Sequence, residues 1–340
     1  MGDRLGIRSA AITAVSRYLP DRVLTNHDLE RLVDTSDEWI RARTGIVERR
    51  ILDGHPTSFM AVAAARRALE SRGLDPAAVD LIIVATVTPD MPLPSTACIV
   101  QQQLGASRAW AYDLSAACSG FVFALATGAQ FIRAGVHRTV LVIGADRMSA
   151  ITDVTDRTTS VLFGDGGGAA LLEAVDEPEV GLLDFECHAD GSGAEFLCVK
   201  GGGSLMPASR ETVDQRLHYL RQDGRAVYRF AVVRMAEVCA SLLSRNGLSG
   251  KDLRLLVPHQ ANLRIIDAAV QRLGLSPDQV IINIDRCANT TAATVPIALA
   301  EAWETGRLAP GDLVLLVGAG AGYTWGSALL RWTMPQPQAA

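Results

Sequence analysis

The run Leu141-Val142-Ile143-Gly144-Ala145 is repeated further along the chain as Leu315-Leu316-Val317-Gly318-Ala319. Both runs are apolar and carry one glycine at the same place, and the two glycines are 174 residues apart. Leu74 and Leu248, each just after a helix-ending glycine, show the same offset of 174. Strands that are apolar at every position are typical of sheets covered by helices on both faces. The repeat therefore predicts an α/β protein made of two similar halves.

Helix-like and strand-like segments alternate in both halves. One helix is predicted from Thr57 to Arg72, and its counterpart from about Ala226 to Arg245. We predict an N-terminal half of residues 1–175 and a C-terminal half of residues 176–340. Residues 185–224 interrupt the repeat and are rich in glycine and charge. They are predicted to form an inserted surface loop that caps a pocket.

The composition is that of an ordinary globular protein of 340 residues, with 49% hydrophobic and 20% charged residues. A net charge of −5 argues against a general nucleic-acid binder. No apolar run approaches the roughly 20 residues of a membrane helix, and Met1–Gly6 lacks the apolar run of a signal peptide. The 6 cysteines are scattered without a C-x-x-C pair, so we expect neither disulfides nor a metal site, and a cytoplasmic protein.

Cys118 lies between a strand-like run, Trp110–Leu114, and a helix-like run, Phe121–Ala134. The first backbone N–H groups of a helix and its dipole stabilise an anion, so the thiol is predicted to ionise more easily than an ordinary cysteine. Its small neighbours leave room for a substrate carbonyl, as a covalent nucleophile requires. A single cysteine of this kind is more often part of the core, but two further segments favour catalysis.

The two segments contain His259 and Asn289. His259 directly follows a buried strand and opens a polar loop, where open α/β sheets place their active sites. Asn289 precedes an alanine-rich helix that ends at Gly306, a position that is otherwise typical of a helix cap. We predict that both, like Cys118, lie in equivalent strand-to-helix turns, which a pseudo-twofold axis brings together.

A cysteine with a neutral histidine and an asparagine suits one chemistry particularly well. The thiolate takes up an acyl group, and the two neutral side chains donate hydrogen bonds to the oxygen of a thioester enolate formed by decarboxylation. This carbon–carbon bond formation requires no metal and no organic cofactor.

In this order and these surroundings, Cys118, His259 and Asn289 resemble the catalytic residues of the β-ketoacyl-acyl-carrier-protein synthase III family of the thiolase-fold superfamily. The resemblance covers essentially the whole chain. Its supporting segments are Ser36–Ile40, Arg43–Ile46, Asp156–Arg157, Phe163–Gly166, Pro258–Asn262 and Tyr323–Leu329. It implies a thiolase-like fold, with two pseudo-equivalent halves forming a layered α-β-α-β-α core.

The resemblance also implies a reaction. Cys118 takes an acyl group from an acyl-CoA primer, and malonyl-acyl carrier protein then loses CO2 and is condensed with that group. His259 and Asn289 stabilise the enolate, and the product is a 3-oxoacyl-acyl carrier protein that initiates fatty-acid synthesis. The backbone N–H groups of Cys118 and Ala321 hold the oxyanion. Ala321 stands where the family more often has glycine, which puts its φ angle in question.

Further roles follow from the resemblance alone. Trp39 and Arg157 match the residues that stack on the adenine of CoA, with Arg43 and Thr44 nearby, and Asn262 matches a contact to the pantetheine amides. An indole and a guanidinium are chemically suited to a flat base.

Because carrier proteins are acidic, a basic rim is expected at Arg225, Arg229 and Arg264, although a solvated helix surface explains these residues equally well. Leu93 matches a residue of a loop that crosses a homodimer interface toward the partner's acyl pocket, where phenylalanine is common. Its smaller side chain favours primers larger than acetyl.

The same residues are compatible with several alternatives. A related ketosynthase that supplies starter units to polyketide or other secondary metabolism has the same chemistry and the same residues. A plant-type polyketide synthase or acyltransferase fits the carrier-protein signatures less well. A non-catalytic ketosynthase-like partner is opposed by the presence of all three catalytic side chains.

Overall fold

The computed structural model describes residues 8–337, so the Met1–Gly6 segment lies outside the described residues. The strands are β1 Ser9–Tyr18, β2 Val23–Thr25, β3 Glu48–Arg50, β4 Leu81–Ala85, β5 Trp110–Leu114, β6 Thr139–Asp146, β7 Gly166–Val175, β8 Gly181–Ala189, β9 Leu197–Cys198, β10 Arg221–Gln222, β11 Leu255–Pro258, β12 Leu313–Gly320 and β13 Thr324–Arg331. The α-helices are α1 Asn26–Leu29, α2 Asp37–Thr44, α3 Thr57–Arg72, α4 Thr96–Leu104, α5 Gly120–Arg133, α6 Arg210–Asp214, α7 Gly224–Arg245, α8 Leu263–Leu273, α9 Ile284–Cys287 and α10 Thr294–Glu304.

Two sheets form the framework of the molecule. The first has the order β1-β7-β6-β4-β5, in which β6, β4 and β5 are parallel and β1 and β7 are antiparallel to their neighbours. The second has the order β11-β12-β13-β8, with β11 and β12 parallel. All strands of the first sheet come from residues 9–175 and all strands of the second from residues 181–331. This separation supports the proposed halves, 1–175 and 176–340.

The two sheets sandwich a central layer of helices, α5 and α10. Both helices are mostly buried and apolar, and they share one core cluster with residues of both sheets, such as Val142 and Leu316. Helices α3 and α4 cover the outer face of the first sheet, and α7 and α8 cover that of the second. The layered α-β-α-β-α fold is therefore confirmed.

Helix ends carry the expected signals. Ser95 caps α4 by accepting a hydrogen bond from a backbone N–H of its first turn, and the helix ends at Gly105 with φ of 74°. The predicted helix from Thr57 to Arg72 is confirmed at both ends, and its counterpart α7 begins two residues before the predicted start.

The repeated glycines are explained by the contact between the two halves. A Cβ atom on Gly144 would lie 2.3 Å from the carbonyl oxygen of Ala292, in the turn before α10. A Cβ atom on Gly318 would lie 3.0 Å from the carbonyl oxygen of Cys118, in the turn before α5. Each half therefore needs a glycine where the active-site turn of the other half presses against its central strand.

The prediction for residues 185–224 is partly wrong. Residues 185–189 belong to β8, which pairs with β13 over its whole length, because this antiparallel strand continues the second sheet. The rest of the segment contains the antiparallel strand pair β9–β10 and, between these strands, the short helix α6. Within residues 8–337, no helix combines the length and apolarity needed to cross a membrane.

Candidate active site

A cavity of about 550 Å3 opens from the surface between the two halves. Cys118, His259 and Asn289 all line it, with exposed fractions of only 5%, 1% and 7%. The residues that line the rest of this cavity include Trp39, Arg43, Thr44, Phe163, Arg225, Tyr228, Asn262, Arg264 and Gly320. The predicted convergence of three distant segments on one cavity is therefore observed.

The Cys118 turn connects β5 to α5 and is tightly held. Ala117, directly before the cysteine, has φ of 46°, a left-handed conformation that places Cys118 at the start of the helix. The hydroxyl of Ser119 donates a hydrogen bond to the hydroxyl of Thr324 at 2.7 Å. The Thr324 hydroxyl in turn donates to the carbonyl oxygen of Ala116 at 2.8 Å. The turn is thus fixed to the second sheet by β13.

The prediction of an easily ionised thiol is wrong for the resting protein. Burial raises the pKa of the Cys118 thiol to about 12, and the nearby Asp146 carboxylate contributes to the rise. A hydrogen bond from the backbone of Cys118 opposes it but is a smaller effect. The thiol at the base of the cavity is therefore neutral near pH 7, and its proton must leave as it reacts.

His259 directly follows β11, as predicted, and its neutral state is well defined. Burial lowers the pKa of this imidazole to about 3. Its Nδ1 lies 3.0 Å from the hydroxyl of Thr294, and that hydroxyl donates its hydrogen to the carbonyl oxygen of Thr291 at 2.6 Å. A hydroxyl has one hydrogen, so toward His259 it accepts, and the imidazole proton lies on Nδ1. Donation from Nε2 therefore requires a second proton or the other tautomer.

Asn289 lies in a turn that differs from the predicted one. It follows the short helix α9 rather than a strand, because the counterpart of β5 in the second half is reduced to a single bridge between Leu256 and Val280. The Oδ1 atom of Asn289 accepts a hydrogen bond from the backbone N–H of Thr291 at 2.9 Å. Its Nδ2 atom has no protein partner among residues 8–337 and is available as a donor in the cavity.

Asp146, at the end of β6, is a fully buried carboxylate that influences the Cys118 thiol and that the motifs did not reveal. One carboxylate oxygen accepts hydrogen bonds from the hydroxyl of Thr291 and the backbone N–H of Ala292, and the other from Thr86 and Val87. Burial raises the pKa of Asp146, and these hydrogen bonds oppose the rise. A sequence signal existed, because Asp146 stands at the position where the repeat has Gly320.

A second cavity of about 210 Å3 also reaches Cys118. Its lining is largely apolar and comes from the ends of several strands and from the region of the β9–β10 strand pair. The lining residues are Val87, Ala117, Cys118, Met148, Ile151, Phe163, Leu197, Cys198, Val199, Leu220, Thr291 and Ala321. Ala321 keeps an ordinary negative φ, since the left-handed position of this turn falls on Gly322, so alanine causes no strain there.

The residues matched to CoA binding lie at the larger cavity or beside it. Arg43, Thr44 and Asn262 line it, and the side chain of Asn262 caps α8 and donates to the carbonyl oxygen of Arg43 at 2.9 Å. The guanidinium carbon of Arg157 lies 5.1 Å from the centre of the Trp39 ring, so these two residues are in direct cation–π contact.

The remaining predicted residues are on the surface. Arg225 and Arg264 line the larger cavity, whereas Arg229 is exposed one turn along α7 from Arg225 and is not among the lining residues. Leu93 is 84% exposed and contacts neither cavity of its own chain. Residues 8–337 contain no cluster of three or more histidine, cysteine or acidic side chains arranged to hold a metal ion.

Comparison with known proteins agrees with this geometry. Two family models match the chain: 3-oxoacyl-[acyl-carrier-protein (ACP)] synthase III over residues 112–191, and the C-terminal region of the same family over residues 243–332. The chain is 54% identical over 327 residues to beta-ketoacyl-[acyl-carrier-protein] synthase III of Chlorobium phaeovibrioides, covering 95% of this chain and 99% of that protein.

Solved structures give the same result. The crystal structure of 3-oxoacyl-[acyl-carrier-protein] synthase III from Aquifex aeolicus has a TM-score of 0.88 at 44% identity, covering 95% of this chain and 100% of that one. The priming β-ketosynthase from the R1128 polyketide biosynthetic pathway has a TM-score of 0.90 at 36% identity, covering 99% and 100%.

The fold and the site define a condensing acyltransferase of the thiolase-fold class. Within that class, the chain belongs to the 3-oxoacyl-acyl-carrier-protein synthase III family.

Proposed function

We propose that this enzyme transfers an acyl group from acyl-CoA to Cys118 and condenses it with malonyl-acyl carrier protein. The products are CoA, CO2 and a 3-oxoacyl-acyl carrier protein, the first condensation of fatty-acid synthesis. The reaction consumes one proton and balances without a metal or an organic cofactor. The observation that carries the proposal is the meeting of Cys118, His259 and Asn289 in one deep cavity.

In the first half-reaction, the sulfur of Cys118 attacks the primer thioester. The oxyanion of the tetrahedral intermediate is assigned to the backbone N–H groups of Cys118 and Ala321. Support for this comes from the second cavity, which both residues line, and from Gly320, whose missing side chain leaves the N–H of Cys118 uncovered. A Cβ atom on Gly320 would lie 2.6 Å from that nitrogen.

In the second half-reaction, decarboxylation of the malonyl group gives an enolate that attacks the acyl carbon. We assign the enolate oxygen to Asn289 and His259. The amide of Asn289 is oriented by the bond from Thr291 to its Oδ1, which leaves Nδ2 to donate. His259 lines the same cavity and donates from Nε2 in the protonation state that carries a hydrogen on that nitrogen.

The pantetheine arm of both substrates is assigned to the 550 Å3 cavity, with Arg43, Thr44 and Asn262 along it. The adenine of CoA is assigned to Trp39 and Arg157. Stacking on both faces of a base requires about 7 Å between the flanking groups, twice the usual contact of about 3.5 Å. Their present separation is 5.1 Å, so one of the two side chains must move away from the other when CoA enters.

The acyl chain is assigned to the 210 Å3 cavity. At roughly 30 Å3 for each non-hydrogen atom, the share of one molecule in liquid water, it holds about seven such atoms. This volume supports primers larger than acetyl, in agreement with a leucine at position 93 on the loop that we place against the partner subunit. A strict preference for acetyl-CoA over butyryl- and hexanoyl-CoA would refute this assignment.

The carrier protein is proposed to dock at Arg225, Arg229 and Arg264, around the mouth of the cavity. The proposal rests on the positive charge of these residues and on the position of Arg225 and Arg264 in the cavity lining. Arg225→Glu should raise KM for malonyl-acyl carrier protein, while the matched Arg272→Glu, on the same helix as Arg264 but outside the cavity lining, should not. Equal KM values for both variants would rule out this docking site.

A homodimer is proposed through β5, the unpaired edge of the first sheet. The backbone N–H of Trp110 bonds inward to Asp80, so the N–H groups of Ala111 and Asp113 point outward. An apolar cavity of about 500 Å3, lined by residues such as Phe131 and Val136, lies beside this edge. Ala111→Pro removes one outward donor without touching the inner ladder and should shift the protein toward the monomer in sedimentation, whereas an unchanged dimer would exclude this edge.

A second candidate has support of its own. The chain resembles the priming ketosynthase of the R1128 polyketide pathway over 99% of its length, so supplying starter units to such a pathway is the alternative. The higher identity to the fatty-acid type, 54%, favours initiation of fatty-acid synthesis. In either case we propose a cytoplasmic enzyme, because its substrates are CoA and carrier-protein thioesters.

The decisive experiment is mass spectrometry of the intact protein after incubation with acetyl-, butyryl-, hexanoyl- and dodecanoyl-CoA. We expect one acyl adduct, which is absent in Cys118→Ala. The purified adduct should then give a 3-oxoacyl product with malonyl-acyl carrier protein. If no acyl-CoA gives an adduct, or if the adduct persists without Cys118, the proposed function is wrong.

A further inference from the structure

We infer that the Thr324 hydroxyl is a positioning group that fixes the Cys118 turn, residues 116–119, against the Ala321 turn, residues 321–323. It thereby sets the distance between the two backbone N–H groups that we assign to the oxyanion. The inference rests on the proposed function and deepens it, because Thr324 itself lines neither of the two cavities that reach Cys118. Thr324 is the first residue of β13 and is half-buried.

Three groups lie within hydrogen-bond distance of this one hydroxyl. They are the Ser119 hydroxyl at 2.7 Å, the carbonyl oxygen of Ala116 at 2.8 Å and the carbonyl oxygen of Ala321 at 3.1 Å. Two hydroxyl oxygens 2.7 Å apart share a hydrogen, and Ser119 supplies it. The Thr324 hydrogen therefore points to the carbonyl oxygens, of which that of Ala116 is the closer. Thr324 thus bonds to both residues that flank the start of α5 and lies against the opposite turn.

The equivalent turn of the second half is fixed in a different way. There, a carboxylate oxygen of Asp146 accepts a hydrogen bond from the N–H of Ala292, so one side chain both fixes the turn and occupies its N–H group. In the first half, Gly320 stands at the position of Asp146 and provides no such contact. Thr324 bonds instead to a carbonyl and a hydroxyl group of the turn. This arrangement fixes the turn while the N–H of Cys118 stays free to bind an oxyanion.

Close packing alone does not set the geometry of this site. A Cβ atom on Gly318 would lie 3.0 Å from the carbonyl oxygen of Cys118, and one on Gly320 would lie 2.6 Å from its nitrogen. The two backbones therefore touch, but such contact limits only how closely they approach. Hydrogen bonds are directional, and an oxyanion is well stabilised only when both donors lie about 2.7–3.1 Å from it. A hydrogen-bonded tie between the turns therefore affects catalysis as well as packing.

The inference separates three measurable steps. Acylation of Cys118, and attack of the enolate on the acyl group, each pass through a tetrahedral intermediate whose oxyanion we assign to Cys118 and Ala321. Decarboxylation of the malonyl group instead forms an enolate that we assign to His259 and Asn289. Loss of the Thr324 hydroxyl should therefore slow the first two steps and spare the third, whereas a general loss of packing would slow all three.

Thr324→Val removes the hydroxyl and keeps the shape of the side chain. The variant should fold, because the Ser119 hydroxyl also lies 2.8 Å from the carbonyl oxygen of Ala116. It can donate to that oxygen once Thr324 no longer accepts its hydrogen, so the carbonyl group keeps a donor. The tie between the two turns is lost, but the hydrogen bonds inside the Cys118 turn remain.

The test measures each step by itself in full-length enzyme. We expect butyryl-CoA to acylate Thr324→Val about tenfold more slowly than wild type, the effect of one lost hydrogen bond. Condensation of the preloaded acyl-enzyme with malonyl-acyl carrier protein should slow by a similar factor. Decarboxylation of malonyl-acyl carrier protein, measured in a Cys118→Ala background that cannot be acylated, should change by less than about twofold. Thr324→Ser should restore both slowed steps.

Infrared spectra of the acyl-enzyme report on the oxyanion site directly. Hydrogen bonds to a thioester carbonyl oxygen weaken its double bond, so the carbonyl band of the isotope-labelled butyryl group should lie at higher frequency in Thr324→Val than in wild type. Ser327→Ala is the matched control. Ser327 is buried on the same strand, and its hydroxyl donates to the carbonyl oxygen of Val238 in α7 at 3.3 Å, away from both turns. It should change neither the rates nor the band.

Normal acylation in Thr324→Val, an unshifted carbonyl band, or equal losses in all three steps that serine does not restore would overturn the inference. Those results would leave the proposed function intact, because wild-type enzyme would still form the Cys118 adduct. The absence of any adduct in wild type would instead refute the proposed function.

Discussion

The turns before α5 and α10 occupy equivalent places in the two halves, yet only the first presents a nucleophile. With the offset of 174, Cys118 corresponds to Ala292, and Ala117 to Thr291. The backbones agree, since φ is 46° at Ala117 and 49° at Thr291. The same strained backbone conformation is thus followed by the thiol of Cys118 in one half and by the methyl group of Ala292 in the other.

The residues facing these turns differ in a complementary way. Asp146 faces the second turn and accepts a hydrogen bond from the N–H of Ala292 at 3.0 Å. Its equivalent, Gly320, faces the first turn and offers no side chain to the N–H of Cys118. In the second turn, the N–H of Ala292 is therefore already bonded to a carboxylate. In the first turn, the N–H of Cys118 stays available for a developing negative charge. A carboxylate beside Cys118 would oppose both the thiolate and the oxyanion.

The catalytic residues of the second half do not lie at the position that corresponds to Cys118 in the repeat. Asn289 corresponds to Ser115, and His259 corresponds to Ala85 at the end of β4. Duplication supplied two similar backbones, and the functional difference depends on a few side chains at strand ends. The following changes test that comparison, from the largest expected effect to the smallest.

Asn289→Ala should have the largest effect. It removes a donor that we assign to the enolate, and loss of one such donor costs about 100- to 1000-fold in rate. Condensation measured from the preloaded acyl-enzyme should fall by that factor, while loading continues. Ser115→Ala, at the equivalent exposed position of the first half, is the control and should change neither step. Normal condensation in Asn289→Ala would remove this residue from the mechanism.

Gly320→Ala tests the open side of the first turn. The added methyl group would lie 2.6 Å from the nitrogen of Cys118, so the turn must shift. We expect a loss of about 1–3 kcal/mol in the free energy of unfolding and at least about tenfold slower acylation. Gly203→Ala is the control, because nothing lies within 4 Å of its added Cβ. Equal acylation by both variants would contradict the proposed closeness of the two halves at Cys118.

His259→Asn should change the response of stability to acid. The imidazole has a pKa of about 3 in the folded protein, against 6.5 for an ordinary histidine, so below pH 6.5 the unfolded chain binds a proton that the folded protein does not. Stability is therefore lost as the pH falls, by about 2 kcal/mol between pH 7 and 5. Urea denaturation of both proteins at the two pH values should show this loss only in wild type. A similar loss in the variant would mean that His259 is not the group responsible.

Cys287→Ala should have the smallest effect. Burial raises the pKa of this thiol to about 12, as it does for Cys118, but Cys287 lines neither of the two cavities at the active site. The rate of acylation in the intact-mass assay should stay within about twofold of wild type. A stoichiometric loss of adduct in this variant would show that access to the cavity does not distinguish the two buried cysteines.

Much of this molecule could be predicted from local patterns. The apolar strand with its glycine, the helix from Thr57 to Arg72 and the turn at Cys118 are each encoded by a few neighbouring residues. The boundary errors at β8 and at Asn289 arose where the second half departs from the repeat. β8 is longer than predicted, and the counterpart of β5 in the second half is reduced to a single bridge. Both changes leave the pattern of apolar residues intact, so hydrophobic periodicity alone does not reveal them.

The protonation state of the site could not be predicted. A helix start next to Cys118 indicates an acidic thiol, but the thiol pKa is dominated by burial and by Asp146, which is 28 residues away in sequence. Likewise, nothing near His259 in sequence indicates which nitrogen holds its proton. That depends on Thr294, which is 35 residues away.

The amino-acid sequence by itself determined the two-half architecture, the turns that present Cys118 and His259, and the kind of chemistry that these side chains and Asn289 perform, because each depends on residues close together in the chain. Only the tertiary structure decided that Gly320 rather than a carboxylate faces the N–H of Cys118, that both the thiol and the imidazole are neutral, and that the hydroxyl of Thr294 lies against Nδ1 of His259. These properties depend on desolvation and on hydrogen bonds between residues far apart in sequence, and such contacts exist only once the two halves are packed together.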